Sequence, residues 1–228
     1  MGKEFEKMQV ISLHKDFDKL QQVYGDKNLD SIYGAGCIDN PNVMFVFMNP
    51  TSKNIASSKE WKGIKAQWLG TKNIWKLFDS IGLIDNNIYQ KIMTKKPSNW
   101  DYEFAENLYE NITQNKLYIT NLGKCTQIDA KPLSNKVFMD YLKLLEMEID
   151  IIKPKIIITF GNQVSSIILN QTILVSQCRK KHYLKNINNH NYKVYPVYYP
   201  VGQGMRNIAL AKEDLIQIMK ENDIVIKI

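Results

Sequence analysis

The chain has 228 residues, 44 % of them hydrophobic and 23 % charged, and its 30 Lys plus Arg against 23 Asp plus Glu give a formal net charge of +7. That length suffices for one sizeable core, and the composition excludes a disordered chain. The basic excess favours a polyanionic partner without requiring one, and no run approaches the roughly 18 to 20 apolar residues that span a bilayer.

Leu13, Phe17, Leu20 and Tyr24 recur at helical spacing and predict a short helix over 14–24. A flexible turn follows at Tyr33-Gly34-Ala35-Gly36-Cys37. The continuous apolar run Val43-Met44-Phe45-Val46-Phe47-Met48 sits between Asn40-Pro41-Asn42 and Asn49-Pro50, which suits a strand buried on both faces. Residues 51–70 are polar, carry Trp61 and Trp68, and read as a long functional or disordered loop. Thr71 is placed to cap a helix whose apolar face is Ile74, Trp75, Leu77, Phe78 and Ile81, with Gly82 to end it.

A helix is expected over 99–113, then a second buried strand over 117–120 ending at Asn121, then a loop through Gly123, Lys124, Cys125 and Thr126 to Pro132. Residues 135–152 read as a long amphipathic helix broken by Pro154. A third strand spans 155–160 and ends at Gly161, and 163–170 begins the next helix. The stretch 179–192 is basic, polar and expected to be exposed. A fourth strand spans 193–198, a loop bearing Gly and Pro covers 199–206, and a helix over 207–221 closes the fold. The tail 224–228 is expected to be a short edge strand.

Four apolar strands alternating with helices predict an α/β chain, a three-layer α/β/α arrangement around a central, mostly parallel four-stranded sheet, over the whole of 1–228 as one domain. Ligand groups in such sheets gather at the carboxyl ends of strands, so Asn49, Asn121, Gly161 and the 199–206 loop can converge. There is no phosphate loop of the GxxxxGK[ST] type, no GxGxxG after the first strand and no GxSxG elbow. Cys37, Cys125 and Cys178 form no CxxC pair, and four thiolates for an iron–sulfur cluster do not exist in the chain. His14, His182 and His190 form no HExxH or comparable spacing, so neither metal nor cofactor is expected. Residues 1–8 are charged and lack the apolar centre of a secretory signal, so the expected setting is cytoplasmic and away from membranes; a monomer is expected.

Several segments, in order and at strand ends, resemble the uracil-DNA glycosylase superfamily over roughly 40–221. They are Phe47-Met48-Asn49-Pro50-Thr51, Asn73-Ile74-Trp75-Lys76-Leu77-Phe78 with Ile81-Gly82-Leu83, and Tyr118-Ile119-Thr120-Asn121-Leu122-Gly123-Lys124-Cys125. With them go the strand and glycine turn PKIIITFG at 154–161 and the loop Tyr199-Pro200-Val201-Gly202-Gln203-Gly204-Met205-Arg206-Asn207. The first motif has the Asn-Pro of the mismatch-specific and single-strand-selective branches instead of Asp-Pro.

The resemblance implies a DNA glycosylase that flips a damaged base, with uracil the default lesion, and hydrolyses its N-glycosidic bond. Asn49 would orient the attacking water, although it cannot ionise as Asp does, and Met48 and Pro50 would flank it in the base pocket. Asn121 would pair one amide with the adjacent N–H and C=O of a uracil edge. Trp68 would stack on the base, with Trp61 as competitor, while Trp75 reads as core. Tyr199 stands in the place of the family's His, and Val201 in that of a Ser, which weakens the expectation of catalysis. Gly202 and Gly204 would admit a phosphate closely, Met205 would wedge into the vacated stack and Arg206 would hold a neighbouring phosphate.

Each of these has a plainer role beside it: a strand-end turn for Asn49 and Asn121, and helix-start packing for Met205. Cys125 falls where some branches place a cluster ligand; the other ligands are missing, and a buried apolar role is expected. Lys124, Arg179, Lys180, Lys181, His182 and Lys185 are candidate phosphate contacts. A weak or inactive DNA- or nucleotide-binding relative, a glycosylase for another lesion and a small-molecule nucleoside hydrolase stay open as alternatives.

Overall fold

A computed structural model describes residues 2–131 and 133–226; Met1, the loop end at Pro132 and the last residues of the expected edge strand, Lys227 and Ile228, lie outside the described residues. The elements in chain order are α1 (Gly2–Tyr24), β1 (Ala35–Gly36), β2 (Val43–Phe47), α2 (Asn73–Ser80), α3 (Asn86–Thr94), α4 (Tyr102–Gln114), β3 (Leu117–Asn121), α5 (Asn135–Ile152), β4 (Ile156–Phe160), α6 (Asn162–Leu169), α7 (Val175–Cys178), β5 (Tyr183–Ile187), β6 (His190–Val197) and α8 (Ile208–Glu221). Among the described residues, no helix is long and apolar enough to cross a membrane.

The sheet has six strands in the order β1-β3-β2-β4-β6-β5. Its middle, β3-β2-β4-β6, is parallel throughout and consists of the four strands that the apolar runs predict. β1 and β5 extend it at the two edges as antiparallel strands. β1 is only two residues long, and β5 alternates half-buried and exposed residues, so neither carries an apolar run. The 179–192 stretch is mostly exposed, as expected, and forms an edge hairpin that its polar sequence does not announce. Asn188 and Asn189 turn it with φ 48° and 63°, the left-handed pair that a tight hairpin needs. The tail is corrected: residues 224–226 are not a strand, and Ile224 is folded back by its backbone N–H onto the Met219 carbonyl at 2.9 Å.

Successive residues of the inner strands face opposite layers. Val43, Phe45 and Phe47 of β2, Leu117 and Ile119 of β3, and Ile158 and Phe160 of β4 pack with α2, α4 and α8. Met44, Val46, Tyr118 and Ile157 pack with α5 and α6 on the other face. α1 is twice the length that the periodicity predicts. Its inner residues Leu13 and Phe17 close on Cys125 and Tyr141, whereas Phe5, Met8 and Ile11 near its start are exposed and leave no apolar pattern.

The 51–70 segment is ordered. Asn54 holds it from within, accepting from Ala56 N–H at 3.1 Å and donating to the Ala66 carbonyl at 2.8 Å. Ala56, Ala66 and Leu69 are buried in the core.

Candidate active site

At the carboxyl edge of the sheet, Phe47 is in register with Asn121, and Phe160 with Val197. Phe47 and Phe160 stack with ring centroids 4.4 Å apart. Strand alternation places the side chains of Asn121, Phe47, Phe160 and Val197 on the one face that carries α2, α4 and α8. The loops leaving β2 and β3 are zipped together beyond the sheet. Leu122 N–H donates to Phe47 O at 2.8 Å, Gly123 N–H to Met48 O at 2.9 Å, Gln127 N–H to Pro50 O at 3.1 Å, and Ser52 N–H to Gln127 O at 2.8 Å. Gly123 permits this approach, because a Cβ there would lie 3.0 Å from the Phe138 ring and 3.5 Å from Asn49 Cβ.

A cavity of about 330 Å³ opens above this edge. Asn49, Pro50 and Thr51 line it from the end of β2, Gln67 and Trp68 from the long loop, Thr71 and Asn73 from the start of α2, and Tyr199, Gly202 and Met205 from the loop after β6. Six of the candidate site residues thus meet at one cavity, Asn49, Pro50, Trp68, Tyr199, Gly202 and Met205, together with Val201 and Thr71. Met48, Asn121, Gly204 and Arg206 are not among its walls. A more open groove of about 560 Å³ lies between the end of α1 and the Asp26–Lys65 loops, lined by residues such as Gln22, Lys27 and Lys59, and holds no strand-end residue.

Asn49 is half-buried, and its Nδ2 donates to the Pro50 carbonyl at 3.1 Å. That bond fixes the amide and leaves Oδ1 as an acceptor. Asn121 ends β3 in register with Phe47, two residues before Asn49 in the wall, and is 1 % exposed with neither Nδ2 nor Oδ1 hydrogen-bonded. A buried amide with both ends unpaired is rare, because each unmet group costs free energy that native structures otherwise avoid.

Trp68 adopts φ 62°, a left-handed conformation that a bulky residue rarely takes. Its carbonyl explains how this is held: it accepts from Thr71 N–H at 3.2 Å, Thr71 Oγ1 at 2.8 Å and Trp75 Nε1 at 3.1 Å. The Trp68 ring meets Phe47 edge-on at 5.0 Å, and its Nε1 is buried without a partner. Backbone strain of this kind concentrates at functional sites. Trp61 is excluded from the cavity wall; its Nε1 donates to Ile64 O at 3.0 Å. Trp75 is fully buried against Phe78 and Tyr109, as core.

Tyr199 meets Phe47 edge-on at 6.3 Å, and burial pushes its hydroxyl well above the usual phenol range, so it faces the cavity as a neutral O–H donor. Its loop is tightly folded: a Cβ on Gly204 would lie 1.9 Å from the Tyr199 carbonyl oxygen, so Gly204 serves chain packing. Gly202 differs, with φ 59° and open space where a Cβ would be. Met205 is 42 % exposed at the rim, its Sδ 3.6 Å from Asn73 Nδ2 across the mouth. Arg206 is exposed one residue further on.

One expected phosphate contact is corrected, and a second, Arg179, is found ion-paired. Lys124 is 0 % exposed and cannot reach a phosphate; its Nζ donates to Glu148 Oε2 at 2.7 Å, to Asn121 O at 2.6 Å and to Thr120 Oγ1. Burial lowers its pKa while Glu148 opposes that shift. Arg179 is clamped by Asp214 Oδ1 at 2.8 Å and Glu213 Oε2 at 2.8 Å, which neutralise the charge locally. Lys180 and Lys185 are likewise paired, with Glu213 and Glu146. Lys181 and His182 are exposed on the hairpin side, away from the cavity walls. The exposed cation that does line the cavity is Lys53, with Lys72 beside it.

Gln67 is the wall residue that sequence reasoning misses. It is 2 % exposed and its Nε2 has no partner. Its only signal in the sequence is adjacency to Trp68. Cys125 is buried with Leu13, Phe17 and Tyr141.

The family model described as Uracil DNA glycosylase superfamily matches residues 33–221. No curated protein matches the chain.

Proposed function

Starting from the chain's membership of the uracil-DNA glycosylase superfamily, we propose that it is a DNA glycosylase that takes a flipped uracil into the cavity above the sheet edge and hydrolyses its N-glycosidic bond. The observation that carries this reading is the Asn121 amide, buried and unpaired at both ends at the sheet edge from which the cavity opens. Uracil offers it an adjacent N–H and C=O, the complement of one primary amide. Cytosine offers the opposite pattern, and an amide held in the uracil-pairing orientation would meet it with like groups facing each other.

In this reading the base stacks on Trp68, and Asn49 Oδ1 accepts a hydrogen bond from the water that attacks the sugar carbon. As the bond breaks, positive charge builds on the sugar and negative charge on the leaving base. Tyr199 donates a hydrogen bond to the base as its charge grows. The bond broken is that between C1′ and the base nitrogen; water supplies the hydroxyl at C1′ and a proton for the base. Neither Asn49 nor neutral Tyr199 transfers a proton readily, so turnover lies below that of an ionisable pair by about 10²-fold or more. Met205 enters the stack that the base leaves, Arg206 and Lys53 contact phosphates, and one copy of the chain acts alone on DNA.

The test is release of free uracil, detected by mass, from an oligonucleotide with one uracil. Release that is lost in Asn49→Ala supports the reading, and its absence removes the catalytic part. A second reading, DNA or nucleotide binding without turnover, is favoured by the non-ionisable Asn49 and Tyr199; it predicts uracil-dependent binding with no release.

A further inference from the structure

We propose that Gln67 is a second base-reading residue, whose Nε2 donates to a ring carbonyl oxygen of the flipped base. The inference rests on the glycosylase reading of the same cavity and adds to it a specificity-determining contact. Gln67 lines the cavity at 2 % exposure, with Nε2 buried and unpaired.

That orphan donor does not come from a loose loop. The Gln67 carbonyl accepts from Tyr109 Oη at 2.7 Å, and the next carbonyl, that of Trp68, receives donors from Thr71 and Trp75. The backbone is pinned on both sides of the side chain. In the free protein the amide is desolvated with nothing in return, and a ligand oxygen at the cavity would satisfy it. Asn121 can engage one N–H and one carbonyl of a base such as uracil, which leaves the second carbonyl for another donor. A base without that oxygen would leave the donor unpaired and be rejected.

The test uses the full chain and an oligonucleotide with 2′-fluoro-2′-deoxyuridine, which resists hydrolysis and separates binding from turnover. An oligonucleotide with a stable abasic analogue at the same position is the reference, and anisotropy gives both affinities. Gln67→Met keeps the volume, and Gln67→Glu replaces the donor by an acceptor. Because Tyr109 holds the backbone and not the side chain, both variants are expected to fold, and Gln67→Met to melt no lower than wild type.

The expected result is a preference for the uracil probe over the abasic probe that falls about tenfold to a hundredfold in both variants, with abasic affinity unchanged. An unchanged preference in both variants overturns the role of Gln67 and leaves the glycosylase reading intact. A wild-type preference lost in the variants, with no release of base from ordinary uracil DNA, supports Gln67 and overturns only the catalytic reading. No preference in the wild type overturns base reading by Gln67, and release of uracil from ordinary uracil DNA then decides the glycosylase reading separately.

Discussion

The buried ammonium of Lys124 donates to the backbone carbonyl of Asn121 at 2.6 Å while bonded to Glu148 Oε2 at 2.7 Å. Thr120 and Tyr118, which also bond Glu148, point to the opposite sheet face from the Asn121 amide. An ion pair in the α5 layer thus anchors the strand end that presents the candidate base-reading amide on the other side.

Breaking that pair leaves a buried charge without its partner. Lys124→Met is expected to destabilise the fold by about 3–5 kcal/mol in urea denaturation, and the double variant Lys124→Met/Glu148→Met to recover much of that loss. If the double variant is no more stable than the single one, the pair does not act as a unit.

Trp68 carries a side chain at a backbone conformation that costs about 1–3 kcal/mol. If that conformation serves base stacking, Trp68→Ala weakens binding of uracil-containing DNA by about 1–3 kcal/mol in a fluorescence titration and leaves undamaged DNA unaffected. Equal weakening of both DNAs would assign Trp68 to general DNA contact.

The Tyr199 hydroxyl is held above its ordinary value of 10.0 by burial. A raised pKa means that its stabilising contribution is complete below about pH 10 and is lost as pH rises through the folded value. Over about pH 6 to 9 it stays a donor, so the excision rate shows no limb from this group. Tyr199→Phe lowers kcat about tenfold without changing the shape of that profile. A fall in rate with a midpoint near neutrality that Tyr199→Phe abolishes would contradict the neutral-donor role.

Met205 projects at the rim with little packing to lose. Met205→Ala changes stability by less than about 0.5 kcal/mol. As a wedge it serves only when a base must leave a stacked duplex, so the variant loses rate on double-stranded uracil DNA more than on single-stranded. Equal losses on both would leave it as a plain wall residue.

The inner strands and the helix Asn135–Ile152 are legible in the sequence because uninterrupted apolar runs and helical periodicity leave few alternatives. The edge strands are not, since β5 alternates with polar residues and β1 is too short to show a pattern. Convergence of Asn49, Trp68 and Tyr199 on one cavity follows from parallel topology, which brings loops after successive strands to the same edge. The fates of Lys124 and Arg179 do not follow from local pattern. Their partners Glu148 and Asp214 are 24 and 35 residues away, and nothing nearby in sequence distinguishes a lysine that pairs in the core from one that meets a phosphate.

The central claim is that uracil is excised at this cavity with Asn49 directing the water. Its most direct measurement is alkali-induced strand scission of labelled single- and double-stranded oligonucleotides with one uracil, after incubation with wild type or Asn49→Ala. The account predicts uracil-dependent scission by the wild type and a loss of about 10²-fold or more in the variant. Measurable DNA binding without scission, or scission untouched by Asn49→Ala, would contradict it.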